Sequence, residues 1–158
     1  MSEHTDSLKH RLQSALTTAM KARDEISLSA LRQALSALAV AETAGDEAAV
    51  LTDAQVVALL AVEVRKHHET ADAFVTAGRP EKTERERAEA AVLEAYLPAA
   101  LGDDDLQQLI TDEIAAAAAD GSTGMRAMGR VVAAVRAQAG PTADGSAIAA
   151  KVKAALSA

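Results

Sequence analysis

The sequence predicts an all-α protein, and three observations carry that expectation. Aliphatic residues recur every three or four positions along most of the 158 residues. Hydrophobic residues make up 49% of the chain, and many are alanine, the strongest helix former. One Phe, one Tyr and no Trp leave little of the aromatic character that strands draw on, and no stretch alternates strictly.

Taken in order, Leu8, Leu12, Leu16 and Met20 stand at spacings of four, with Ala15 and Ala19 beside them, and predict a one-faced helix from about Asp6 to Arg23. Asp24 is the expected N-cap of a second helix, whose stripe is Leu28, Leu31, Leu35 and Leu38 and which ends near Thr43-Ala44-Gly45. The join between these two is too short for a loop, so a sharp corner is expected. Thr52-Asp53-Ala54-Gln55 is a capping-box pattern opening a long third helix. Val56, Leu60, Val64, His67, Ala71 and Phe74 share its inner side, and Gly78-Arg79-Pro80 stops it. A fourth helix is expected from about Lys82 to Tyr96, with Ala88, Val92 and Tyr96 inward and the alternating charges Glu84-Arg85-Glu86-Arg87 outward.

Pro98 ends that helix and marks the expected boundary between an N-terminal helical domain, 1–98, and a C-terminal three-helix domain, 99–158. Asp103, Asp104 and Asp105 open the fifth helix, where its dipole favours acids, and Leu106, Leu109, Ile110 and Ile114 form its stripe. The sixth is expected from Gly124 to Gln138 with Met125, Met128, Val132 and Val135 inward. Gly140-Pro141 breaks it, and the seventh carries Ile148, Val152 and Leu156.

The net charge is −7, which excludes a general nucleic-acid coat protein. The charge is uneven, however. Residues 1–98 hold 11 Lys and Arg against 16 Asp and Glu, and residues 99–158 hold 5 against 7. From Gly121 onward, Arg126, Arg130, Arg136, Lys151 and Lys153 face Asp144 alone, the one segment with a positive balance. There is no cysteine, hence no disulfide framework or thiolate site. The polar opening from Met1 to Asp6 is unlike a signal peptide, and no apolar run approaches the ~20 residues that span a bilayer, so the expected place is the cytoplasm, with no membrane partner.

Three stretches were candidates for chemistry. Within Arg65-Lys66-His67-His68-Glu69, Glu63 and His67 are four apart on one helix face, a spacing that can share a metal. His68-Glu69-Thr70-Ala71-Asp72 approaches the zinc-protease signature but has Asp where the second His must be. Intrahelical ion pairs on a solvated face account for both, and no metal is expected. In Glu84-Arg85-Glu86-Arg87-Ala88-Glu89 the interleaved arginines favour a salt-bridged exterior over acid–base work. Gly121-Ser122-Thr123-Gly124 could cradle a phosphate with backbone N–H groups, but it lacks the P-loop lysine and a preceding strand of a nucleotide site; a plain N-cap, or a single backbone phosphate contact, is the better reading. No catalytic residues assemble, and no cofactor is expected.

Several of these segments together resemble the YqeY-like proteins of the GatB/YqeY family. They are Leu16 to Asp24 with Leu28 to Arg32, then Leu51 to Val57, and the charged Glu63 to Glu69 stretch with Ala77-Gly78-Arg79-Pro80. Glu86, Glu89, Leu93, Tyr96, Leu97 and Pro98 follow, then Met128-Gly129-Arg130-Val131 with Ala139-Gly140 and Ala143-Asp144-Gly145. The resemblance implies a helical N-terminal part and a small C-terminal domain similar to the tail of the B subunit of the glutamine-dependent tRNA amidotransferase. That tail is associated with gripping tRNA. The implied role is a non-catalytic tRNA-interacting accessory protein, with Arg126, Gly129, Arg130, Arg136, Lys151 and Lys153 as its tRNA-binding residues. Arg126 and Arg130 would share one helix face, with Lys151 and Lys153 nearby and Gly129 allowing close approach. The alternatives are an adaptor docking on an amidotransferase complex or other protein through the third and fourth helices, and, behind both, a carbon–nitrogen ligase with glutamine as amido-N-donor. Where members of the family commonly have an acid, a methionine and a basic residue, this chain has Ala127, Val132 and Ala139, and each change removes a polar contact from the binding face.

Overall fold

The computed structural model describes residues 7–158, so the expected helix start at Asp6 lies outside the described residues. Among these residues the fold is all-helical, with seven α-helices, one 3-10 turn and no strand. The chain divides into two compact units, Met1–Leu97 and Pro98–Ala158.

The first unit holds α1 (Leu8–Ala22), α2 (Glu25–Glu42), α3 (Asp53–Thr76) and α4 (Pro80–Glu94). The corner between α1 and α2 is two residues long. Arg23 takes the left-handed conformation (φ 56°), and the Asp24 N–H returns to the Ala19 carbonyl at 3.0 Å. Asp24 then caps α2, its carboxylate accepting from the Ser27 N–H at 3.1 Å and the Ser27 hydroxyl at 2.6 Å. These two bonds hold the Asp24 carboxyl below its ordinary pKa. The capping box at Thr52 and Gln55 forms in full. At the end of α3 the Arg79 N–H reaches back to the Phe74 carbonyl across Gly78 (φ 67°), and Pro80 starts α4, where its missing N–H costs nothing.

Leu12, Leu31, Leu38, Leu60 and Leu93 are sealed at the centre of this unit. Two contacts, three hydrogen bonds in all, tie α1 to distant segments of the unit. Lys9 Nζ donates to both carboxylate oxygens of Glu42, at 2.8 and 2.7 Å, and the Leu8 N–H donates to Asp53 Oδ1 at 3.0 Å. Each aromatic ring lies under a cation: Arg11 over Tyr96 and Lys82 over Phe74.

Two expected stripes are corrected. Met20 is 54% exposed, whereas Ala19, expected beside it on the stripe, is buried. Steps of four residues drift by about 40° each in a 3.6-residue helix, so three steps carry Met20 off the face that Leu8 began, whereas Ala19 falls back near it. Ala88 and Val92 on α4 and Tyr96 just past its end are half-buried, Val92 and Tyr96 packing against the core as expected, while Thr83, Glu89, Ala90 and Leu93 are buried. This helix packs against both α3 and α2, so its inner face is wider than one stripe and takes in part of the charged run.

The second unit holds α5 (Asp103–Ala119), a 3-10 turn (Gly124–Ala127), α6 (Met128–Ala139) and α7 (Gly145–Ser157). Its core is Ile110, Ala117, Ala127, Val131, Val135, Ala139, Ile148 and Val152. The sixth helix starts four residues later than expected, because Gly124–Ala127 winds as a 3-10 turn and changes the phase. Val131 and Val135 are sealed, Met128 and Val132 are half-buried and packed against the core, and Met125, which the turn carries off the helix, is 51% exposed. Asp144 caps α7, accepting from the Ser146 and Ala147 N–H groups at 2.8 and 3.3 Å.

Candidate functional site

Polar residues gather in the first unit where α3 meets α4. His67 extends the apolar stripe of α3 by one turn beyond Val64 and is 5% exposed. Opposite it, Glu86 and Glu89 are three apart on α4 and share one face. His67 Nδ1 lies 2.7 Å from Glu86 Oε2 and 3.9 Å from Glu89 Oε2. Glu89 is 3% exposed, which a carboxylate tolerates only when its oxygens are answered. Arg85 Nε donates to Oε1 at 3.0 Å, and Gln33 Nε2 on α2 donates to Oε2 at 3.1 Å. The ligand-capable atoms of His67, Glu86 and Glu89 all lie within 4.8 Å of one another.

This arrangement corrects the expected exterior. Glu84 and Arg87 do pair on the outer surface, but Glu86 is half-buried and Glu89 sits inside. The metal-sharing spacing of Glu63 and His67 does not assemble either, since Glu63 accepts from Lys66 Nζ at 2.8 Å. His68, with Glu69 and Asp72 exposed beside it, turns instead to Glu94, Nε2 to Oε1 2.5 Å. Sequence reasoning named His67 and missed its partners because they come from another helix. The available signal was an acid pair three apart inside a run that otherwise reads as solvated.

The basic residues of the second unit do not converge on one face. Arg130 pairs with Asp120, the C-cap of α5, and Lys151 Nζ lies 3.7 Å from Asp103 Oδ1. Arg136 stands about 120° around α6 from Arg130 and folds over Gly145 at the start of α7. Lys151 and Lys153 are about 160° apart on α7 and point to opposite sides. Arg126 and Lys153 are exposed and have no ion pair among the described residues. The Ser157 hydroxyl, one turn beyond Lys153, lies 3.9 Å from Met125 Sδ, so the last turn of α7 sits beside the 3-10 turn that carries Arg126. A Cβ at Gly129 would meet nothing within 4 Å, so Gly129 is in open space and no neighbouring helix packs on it.

The Gly121–Gly124 segment is not a phosphate cradle. The Gly121 N–H goes to the Ala118 carbonyl and the Ser122 N–H to Ala117, with Gly121 left-handed (φ 85°). These donors close α5, and the Thr123 side chain caps nothing.

No helix among the described residues is long and apolar enough to cross a membrane. No curated protein matches the chain. The YqeY-like protein family matches over residues 9–156, from the first turn of α1 to the last turn of α7. The chain therefore belongs to the YqeY-like protein family.

Proposed function

We propose that this protein is a non-catalytic, tRNA-interacting accessory protein related to glutamine-dependent tRNA amidotransferase, and that its second unit carries the contact. The supporting observation is the neighbourhood of Arg126 and Lys153. Both are exposed and without an acidic partner among the described residues, and the Ser157–Met125 contact brings their segments together. Arg136 adds a cation elsewhere on the unit. Guanidinium and ammonium groups so placed contact phosphates, which position an RNA without reading its sequence. Arg130 and Lys151 contribute less, because Asp120 and Asp103 already answer them.

Two to three phosphate contacts give weak binding whose logarithm falls with the logarithm of salt at a slope of roughly −2 to −3. Fluorescence anisotropy with tRNA from about 50 mM salt upward tests this. The double variant Arg126→Glu/Lys153→Glu weakens binding, while charge reversal at Lys21 on α1 does not. Absence of salt-dependent tRNA binding ends the proposal. A ribonuclease-resistant pull-down mapped to residues 53–96 would instead favour the adaptor reading through α3 and α4.

A further inference from the structure

We propose that His67, Glu86 and Glu89 form a binding site for one divalent transition-metal ion of the zinc class, stapling α3 to α4. Nothing in the tRNA reading calls for this site, and it stands on separate observations. Two carboxylate oxygens, Glu86 Oε2 and Glu89 Oε2, approach the same imidazole nitrogen from one helix, at 2.7 and 3.9 Å. Bond lengths of about 2.0–2.2 Å to zinc place neighbouring ligand atoms about 3.2–3.5 Å apart. The two His67–carboxylate separations bracket that range, and all three ligand atoms lie within 4.8 Å of one another, close enough for side-chain rotation to bring them onto one ion.

The electrostatics point the same way. Glu86 and Glu89 put two negative charges on one helix face, and Glu89 is sealed from water. Arg85 answers Glu89 at its other oxygen, Oε1, leaving Oε2 turned toward His67 and Gln33. A cation between the carboxylates relieves the remaining repulsion. Gln33 supplies a fourth position. Its amide nitrogen stands 3.1 Å from Glu89 Oε2, and rotation of the amide by a half-turn presents the carbonyl oxygen there instead. One imidazole, two carboxylates and an amide oxygen or water suit zinc, manganese or iron(II) in preference to a soft copper(I). Glu86, half-buried, leaves the entry path.

The test uses the full chain, stripped with a chelator and dialysed, titrated with Co²⁺ as a spectroscopic probe and with Zn²⁺ by calorimetry. One equivalent binds, the His67 ring signals move in the NMR spectrum, and thermal stability rises. Glu86→Gln weakens binding by about tenfold or more. Glu84→Gln, on the outer side of α4, and His68→Ala leave it unchanged. The proposal is overturned if neither metal binds saturably below about 1 mM, if Glu86→Gln binds as the parent does, or if His68→Ala abolishes the site. Any of these leaves the cluster as a histidine–glutamate hydrogen-bonded clasp only. Should Glu86→Gln fail to fold, the His67 ring signals of the unaltered protein decide: metal-dependent movement supports the site, and its absence removes it.

Discussion

The guanidinium of Arg136 occupies the space a side chain at residue 145 would need: a Cβ built on Gly145 would overlap Nη2, Cζ and Nε. Gly145→Ala must therefore push Arg136 aside. The obstacle is the far end of a flexible side chain, and alanine is the better helix residue by about 1 kcal/mol. Stability in chemical denaturation should stay within about 1 kcal/mol of the parent. A larger loss would show that Arg136 is pinned against the start of α7.

Glu89 is held by residues from three helices: Gln33, His67 and Arg85. Glu89→Ala removes the acceptor of Gln33 and of Arg85, and a carboxylate 3.9 Å from His67, inside a packed interface. The expected cost is about 2–3 kcal/mol in urea unfolding, below that of a wholly sealed pair because the Arg85 side chain is partly exposed. Glu89→Gln keeps the shape and one acceptor and should cost less.

Asp120 ends α5, where the helix dipole disfavours an acid, and it is paired with Arg130. Asp120→Asn releases that arginine. If the second unit contacts tRNA, the variant binds a few-fold more tightly at low salt, with a salt slope steeper by about one. An unchanged slope in the anisotropy titration would place Arg130 outside the contact.

Asp24 gives a pH dependence of known sign. Its hydrogen bonds to Ser27 depress the folded-state pKa. The contribution is fully present above the unfolded-state value and is lost as pH falls through the folded one. Thermal melts of the parent and of Asp24→Ala should differ at neutral pH and draw together at pH values below the ordinary carboxylate range. A gap that stays constant into acid would remove the carboxylate's role as cap.

Local chemistry was legible in the sequence wherever a single segment decides it. The capping box at Thr52, the cap at Asp24, the break at Gly140 and the inner face of α3 from Val56 to Ala71 all follow from nearest neighbours. What failed depended on a partner far along the chain. Glu89 reads as exterior by its neighbours and is interior because α2 and α3 both close over it. Arg126 and Arg130 read as one face of a single helix, with Lys151 and Lys153 of the next helix nearby. In the structure Arg126 lies on a 3-10 turn ahead of α6, and acids at the two ends of α5 pair with Arg130 and Lys151. Family membership is a property of many weak motifs together, and it survived these local errors.

The bond from the Leu8 N–H to Asp53 has a consequence for the order of folding. An amide in the first turn of a helix has no acceptor within that helix, and this one finds its acceptor 45 residues away. Winding α1 is a local event, whereas this contact also needs the start of α3 to be in place. Leu8 is thus a reporter built into the chain: its amide stays open to exchange while α1 is already wound, and becomes protected only when the start of α3 arrives.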